Sequence, residues 1–265
     1  MEIGVSTASL FVRKTTEDAL SYICEEKFPA AEVFLSTYRE YNRAFGKLLK
    51  KRLAGGCTKV HSIHTLNTQY EPQLYSVNPR AAEDSFDILE GVLQAAEEIG
   101  AKYYTFHGVA RMKKTPIKMD YDRIGAVTRR IFDACAAHGV TLSYETVHWC
   151  YYNYKGFFKE VKRRCSGLKG VLDIKQARQS GVFYGDFIDD MGEDIVTVHL
   201  SDIDENGKMC LAGKGVFDFA ELFKRLKDVN FDGALLIEAY QGDYGDLSEL
   251  KQSADYVAEL VHKIF

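Results

Sequence analysis

The segment AAEEIGAKYYTFH, residues 95–107, joins the end of a helical pattern to a short β-rich run that finishes on a histidine. Gly100 stands where a C-terminal glycine cap would end the helix. The run Tyr103-Tyr104-Thr105-Phe106 is aromatic or β-branched, which favours a strand. A helix followed at once by a strand is typical of a repeating β/α unit.

The alternation of strands and helices extends over all 265 residues. Predicted strands occupy residues 3–6, 31–35, 59–63, 103–107, 141–145, 170–173, 195–200 and 234–238. Predicted helices occupy residues 15–27, 39–53, 79–99, 119–138, 155–165, 183–191 and 217–229, with a last helix from about 247. This alternation implies a parallel sheet. An open doubly wound sheet shares it, but no G-x-G-x-x-G follows the first strand. We predict a single (β/α)₈ TIM-barrel domain over residues 1–265.

The composition is that of an ordinary globular enzyme, with 46% hydrophobic and 27% charged residues. A net charge of −4 gives no general attraction to nucleic acid. No apolar run approaches the roughly 18 residues that span a bilayer, so no membrane partner is expected. The acidic N-terminus enters a strand at once, so we expect no signal peptide. The 6 cysteines contain no C-x-x-C pair, and we expect reduced thiols in a cytoplasmic protein.

Potential metal ligands and acid–base groups recur at the ends of the predicted strands. These residues are His107, Glu145, Asp173, His199 and Glu238, and His64 adds another from the third strand. In a barrel, the C-terminal ends of all strands face the same mouth, so the side chains would converge. A buried lone carboxylate is costly, whereas a divalent cation lets several carboxylates coexist. Carboxylates with an imidazole suit Mn²⁺, Mg²⁺, Co²⁺ or Zn²⁺.

The segments that carry these residues resemble a known family. They are SYE (143–145), VLD (171–173), VHLSD (198–202), GKGVFDF (213–219) and LIE (236–238). In this order they resemble the xylose-isomerase-like barrel superfamily, which includes sugar isomerases, ketose 3-epimerases, inosose-type dehydratases and apurinic endonucleases. The resemblance follows the strand order over the whole chain.

The resemblance implies that Glu145, Asp173, His199 and Glu238 form a shared metal site. In the epimerase and isomerase branches, the metal holds oxygens of an open-chain sugar and stabilises an enediolate. Two glutamates then move a proton on and off the carbon beside the carbonyl. We therefore expect Glu145 and Glu238 to be the catalytic base and acid.

This sequence departs from the family pattern after the sixth strand. The family often has Asp-x-x-His, whereas this chain has Asp173-Ile174-Lys175-Gln176. Gln176 can hydrogen-bond a substrate hydroxyl but is a poor divalent ligand. In the endonucleases an Asp-x-His pair also contributes to a third metal site, and the corresponding residues here are Gly207 and Met209. We expect that third site to be absent.

Several other residues are predicted to contact substrate. His64 and His107 occupy positions whose residues line the substrate pocket in the sugar-processing branches. In the endonucleases, the residues at these positions bind another zinc together with the strand-five glutamate. The resemblance therefore leaves open whether this chain binds a second metal. Trp149 is expected to form part of an aromatic wall, because a flat ring packs against sugar C–H groups. Lys214, like Lys175 and Arg111, could bind an anionic group near the mouth.

The leading functional hypothesis is a divalent-metal-dependent isomerase or epimerase of a sugar, sugar phosphate or polyol. Alternatives are a metal-dependent dehydratase or lyase of a cyclic polyol, an apurinic endonuclease-like phosphodiesterase, and a non-catalytic sugar-binding barrel. Nucleic acid is not an expected partner. The sequence leaves open which metal binds, whether the substrate is phosphorylated, and whether the chain forms a homo-oligomer.

Overall fold

The predicted barrel is confirmed in the computed structural model, which describes residues 1–111 and 118–265. Its strands are β1 (Glu2–Ser6), β2 (Ala30–Leu35), β3 (Lys59–Thr65), β4 (Tyr103–Phe106), β5 (Thr141–Glu145), β6 (Lys169–Asp173), β7 (Ile195–Leu200) and β10 (Ala234–Ile237). They close in the order β1-β10-β7-β6-β5-β4-β3-β2. The pairs are parallel throughout, as the alternation with helices predicts.

Helices surround this barrel. They are α1 (Thr16–Glu25), α2 (Arg43–Leu53), α3 (Glu71–Leu74), α4 (Pro79–Ile99), α5 (Tyr121–Ala137), α6 (Phe157–Lys162), α7 (Ile174–Gln179), α8 (Tyr184–Met191), α9 (Phe219–Asp228) and α10 (Ser248–Ile264). Gly100 ends α4 in the left-handed conformation, with φ 69°, and its N–H donates to Ala96 and Glu97 carbonyls, as the glycine cap predicts. Helix α6 is shorter than the predicted 155–165.

A hairpin after β7 and a register shift in the barrel were not predicted. Strands β8 (Asp202–Ile203) and β9 (Met209–Cys210) form a short antiparallel hairpin after β7. The register between β2 and β3 shifts at Ala31 and Glu32, so that His61 has no partner in β2. His61 is nonetheless buried, and its Nε2 lies 2.9 Å from Thr197 Oγ1 on β7. The irregularity therefore places an extra polar side chain inside the barrel.

The barrel interior differs from the layer between barrel and helices. Apolar side chains from the outer faces of the strands pack against the helices and form the main core. Inside the barrel, Ala30, Ala234 and Leu236 form a small separate apolar cluster. Buried polar side chains, among them Glu32, Glu145 and His199, also lie inside the barrel. No helix in the described part of the chain combines the length and the apolar character that a bilayer crossing requires.

Candidate metal centre

The strand-end residues converge at the C-terminal mouth of the barrel. Glu145, Asp173 and His199 come from neighbouring strands β5, β6 and β7, and Glu238 follows β10 directly. His199 Nδ1 lies 3.0 Å from Glu145 Oε1 and 3.1 Å from Glu238 Oε2. Ligand atoms of Glu145, Asp173 and His199 all lie within 4.8 Å of one another. These distances bring Glu145, Asp173 and His199 close enough to share one ion, and the ligand atoms of Glu238 lie within 4.8 Å of those of His199 and Glu32.

The carboxylates of this cluster are buried and incompletely satisfied. Glu145 and Asp173 are each 2% exposed and Glu238 is 9% exposed. Glu145 Oε2 and Glu238 Oε2 receive no hydrogen bond from the described residues, although each faces an imidazole nitrogen. Asp173 Oδ1 accepts the backbone N–H of Gln176 and so also caps α7. Buried carboxylate oxygens without donors are what a bound divalent cation would satisfy, so the residues present fit a metal.

The pKa shifts in the cluster also indicate that a positive charge would be stabilised there. Burial raises the pKa of Asp173 to about 6, against the opposing charge of Lys175. Burial alone would lower the pKa of His199, but the surrounding carboxylates, Glu238 first, raise it well above its ordinary value. The carboxylates around His199 therefore favour a positive charge at the centre of the cluster.

Glu32 is a fourth buried carboxylate beside His199, and the sequence analysis missed it. It lies within β2, points into the barrel and is 0% exposed. Its Oε1 lies 3.2 Å from His199 Nε2, the ring nitrogen opposite the one that faces Glu145 and Glu238. The only sequence signal is one acid within the apolar run AAEVFL (30–35).

His64, His107 and Glu145 form a second cluster whose ligand atoms also lie within 4.8 Å of one another. His107 Nε2 is 2.6 Å from Glu145 Oε2, and the rings of His64 and His107 are 4.5 Å apart. His64 Nδ1 lies 3.0 Å from the carbonyl of Thr105, which can only accept, so this nitrogen carries the proton. The two oxygens of Glu145 thus face the two clusters.

Glu71 on α3 fixes the backbone that carries His107, and it too was missed. Its Oε2 accepts the N–H groups of His107 and Gly108, both at 2.9 Å, and its Oε1 accepts the hydroxyl of Tyr104 at 2.6 Å. Gly108 has φ 72°, and a Cβ there would lie 1.9 Å from Tyr144 Oη, so the turn requires glycine. Neither the hydrogen bonds of Glu71 nor the close approach of Gly108 to Tyr144 could be derived from the local sequence.

A cavity of about 240 Å³ opens above the clusters. Its apolar side consists of Ala8, Phe11, Phe34, Leu66, Trp149 and Tyr240. Its polar side consists of His64, Thr65, Thr68, His107, Glu145, Gln176 and Glu238. No lysine or arginine is among the described residues that line it. The cavity therefore combines a hydrophobic and aromatic wall with a few convergent polar groups, as small-molecule sites do.

Four of the residues predicted to bind substrate, His64, His107, Trp149 and Gln176, line this cavity. Gln176 Oε1 lies 2.6 Å from His148 Nδ1, which orients the amide. Lys214 is exposed and is not among the described lining residues, so the cavity gives no support for its substrate role. Asp202 accepts the backbone N–H groups of Gly213 and Gly215 on either side of Lys214 and thereby orders this loop.

Lys175 is buried rather than a surface charge. It is 3% exposed, and its Nζ lies 3.9 Å from the centre of the Tyr240 ring. Its Nζ makes no geometrically satisfactory hydrogen bond to the described residues. Burial lowers the pKa of Lys175, but the charges of Asp173 and Glu238 outweigh burial and raise it, so the ammonium stays charged beside the acids.

Gly207 and Met209 occupy the positions that contribute to a third metal site in the endonucleases. Gly207 lies in the turn between β8 and β9 with φ 85°, and Met209 begins β9. Neither provides an imidazole or a carboxylate. The three candidate clusters in the described chain all lie around Glu145 and His199.

Comparison with known proteins supports the barrel assignment. Residues 18–260 match the sequence pattern of the family described as xylose isomerase-like TIM barrel. No curated protein matches the chain in sequence.

Among solved structures, the IOLI protein with a binding zinc atom superposes with a TM-score of 0.81 at 17% identity, covering 100% of this chain and 99% of that one. A D-tagatose 3-epimerase-like protein gives a TM-score of 0.79 at 17% identity, covering 99% of each chain. D-psicose 3-epimerase from Clostridium cellulolyticum H10 gives 0.77 at 15% identity, covering 100% and 99%. At such identities the likeness establishes the fold alone.

Proposed function

Because the chain belongs to the xylose isomerase-like TIM barrel family, we propose that it is a divalent-metal-dependent isomerase or epimerase of a sugar or cyclic polyol. One observation carries the proposal. The buried side chains of Glu145, Asp173, His199 and Glu238 meet at the floor of a cavity with an aromatic wall. Two of the similar structures are a D-tagatose 3-epimerase-like protein and a D-psicose 3-epimerase, which agrees with this reaction class.

Glu145, Asp173, His199 and Glu238 are the residues we assign to the metal. Three carboxylates and one imidazole suit Mn²⁺, Mg²⁺, Co²⁺ or Zn²⁺, and the similar IOLI structure is described with zinc. When bound, such a cation supplies Lewis-acid polarisation of a substrate carbonyl and stabilises the negative charge of an enediolate.

Glu145 and Glu238 are the residues we assign to proton transfer. Both line the cavity, and His199 Nδ1 lies between their carboxylates. Burial would raise the pKa of Glu145, but the charges of His107 and His199 lower it well below its usual value, so this carboxylate is ionised. Carboxylates on either face of a substrate carbon can then remove and return its proton.

His64, His107, Gln176 and Trp149 are assigned to substrate binding. The imidazoles and the amide provide hydrogen bonds for hydroxyl groups, and the indole provides a flat face for C–H groups. The alternative for His64 and His107 is a second metal shared through Glu145. We favour substrate contact, because both rings line the cavity wall.

Solvent deuterium exchange tests the proposal directly. Protein loaded with Mn²⁺, Co²⁺, Mg²⁺ or Zn²⁺ is incubated in D₂O with aldoses, ketoses, their phosphates and inososes. We expect deuterium to enter a substrate at the carbon beside the carbonyl, and chelator to stop the exchange. Glu25→Gln, on the exposed end of α1, serves as the matched variant and should exchange like wild type. If no metal-loaded sample exchanges deuterium into any of these compounds, the proposal is wrong.

A further inference from the structure

We infer that Glu32 is a positioning residue for the metal centre: it holds the His199 ring with Nε2 protonated and Nδ1 free to bind a cation. The inference rests on the proposed function, because it takes His199 as a ligand. It concerns a residue outside the four assigned ligands, although its carboxylate lies within 4.8 Å of the ligand atoms of His199 and Glu238. Glu32 does not line the cavity among the described residues.

The two nitrogens of the His199 ring face carboxylates on opposite sides. Nδ1 faces Glu145 and Glu238 at the mouth, at 3.0 and 3.1 Å. Nε2 faces Glu32 Oε1 inside the barrel, at 3.2 Å. Because His199 is 1% exposed and Glu32 is 0% exposed, water cannot replace either contact from the bulk.

Hydroxyl groups from three neighbouring strands distinguish Glu32 from the ligands. Ser62 Oγ and Thr105 Oγ1 donate to its Oε2 at 2.8 and 2.7 Å, and Ser6 Oγ donates to its Oε1 at 3.1 Å. Both oxygens are therefore engaged, and the orientation of the carboxylate is fixed. Glu238 Oε2, which receives no hydrogen bond from the described chain, faces His199 Nδ1 and is left for a cation.

The carboxylate of Glu32 determines which nitrogen of the His199 ring carries the proton. An ionised carboxylate only accepts, so the ring nitrogen that faces Glu32 carries the proton. The contact is close but lacks the alignment of a good hydrogen bond. With the proton held on Nε2, the lone pair of Nδ1 points to the mouth. A carboxylate behind a metal-binding histidine fixes the tautomer and the ring orientation, and raises the basicity of the ligand.

The test compares Co²⁺ binding by wild type and Glu32→Gln, which keeps the side-chain shape but removes the charge. We expect Glu32→Gln to weaken Co²⁺ affinity by about 10- to 100-fold, measured by calorimetric titration. The visible spectrum of bound Co²⁺ should change, because the ligand field at Nδ1 changes. Asp190→Asn, which alters another buried carboxylate at the contact of α6 and α8, should leave both readouts as in wild type.

Two further measurements make the outcome decisive. In Zn²⁺-loaded protein, nitrogen NMR of labelled histidines should show His199 protonated at Nε2 in wild type and not uniformly so in Glu32→Gln. If Glu32→Gln does not fold, Thr105→Val removes one donor to Glu32 and should weaken Co²⁺ affinity by about threefold to tenfold.

Unchanged Co²⁺ affinity in the folded variants overturns the positioning role while leaving the proposed function intact. Failure of wild type to bind Co²⁺ overturns the metal centre itself, and the role of Glu32 with it.

Discussion

Glu145 Oε1 lies 3.0 Å from His199 Nδ1, although the two residues are 54 positions apart in the chain. The other oxygen of Glu145 lies 2.6 Å from His107 Nε2. One carboxylate thus joins the cluster around His199 to the cluster around His64 and His107. A metal held at either cluster would have Glu145 among its candidate ligands.

Glu145→Gln should abolish turnover and leave the fold intact. The amide cannot accept a proton and is a much weaker ligand, while its shape is nearly unchanged. Turnover is measured by deuterium exchange, and the fold by circular dichroism and thermal unfolding. Activity above about a tenth of wild type, which corresponds to less than about 1.4 kcal/mol of barrier, would remove Glu145 from the mechanism.

Chelation should remove activity and lower thermal stability together. The buried carboxylates at the mouth lose their cation, and a ligand that binds only the folded state at 100 times its Kd contributes about 2.7 kcal/mol. Unfolding curves with chelator, and after return of Mn²⁺ or Co²⁺, measure this contribution. Identical curves for chelated and metal-loaded protein would contradict a metal bound at this cluster.

The strand-end residues were predictable because two general rules suffice. A polar residue that ends an apolar strand marks the barrel mouth, and parallel strands bring all such ends together. Glu32 and Glu71 were not predictable, because their partners lie on other elements that are distant in the sequence. The shift between β2 and β3 that turns His61 inward leaves no mark in local composition.

Lys175 shows a different limit of sequence reasoning. A lysine two residues after a strand is usually a surface charge. Here α7 begins immediately after Asp173, and the side chain of Lys175 lies against Tyr240. The short helix of 6 residues has too little periodicity to be recognised in the sequence. The same holds for α3, which carries Glu71.

Metal analysis of purified protein should find one tightly bound divalent ion per chain, and His107→Asn should retain it. In this variant KM should rise, because His107 is assigned to a substrate oxygen rather than to the ion. Elemental analysis gives the stoichiometry, and steady-state kinetics give KM. Two ions in wild type and one in His107→Asn would instead show that His64, His107 and Glu145 hold a second metal.

His61 should make the protein less stable in mild acid. Burial lowers the pKa of His61 from 6.5 to about 4, against the opposing charge of Glu32. The unfolded chain therefore binds the proton more tightly, so stability is lost as pH falls from about 6.5 towards about 4. Between about pH 7 and about pH 5 this group accounts for about 2 kcal/mol.

Urea unfolding of metal-free wild type and His61→Gln at these two pH values isolates the contribution of His61. The other titrating groups are common to both proteins, so the variant should lose less stability on acidification. An equal loss in the two proteins would show that His61 is not held neutral inside the barrel.

The chain should not cleave a duplex that contains an abasic site, and Met209→His alone should not create that activity. A third metal needs several ligands at once, whereas this chain places Gln176, Gly207 and Met209 at the corresponding positions. Gly207 lies in a hairpin turn and has no side chain to offer. A single new imidazole on β9 therefore cannot complete a site. Gel analysis of a labelled abasic duplex incubated with Zn²⁺-loaded protein measures the cleavage. Cleavage by wild type would favour the phosphodiesterase function over the isomerase function.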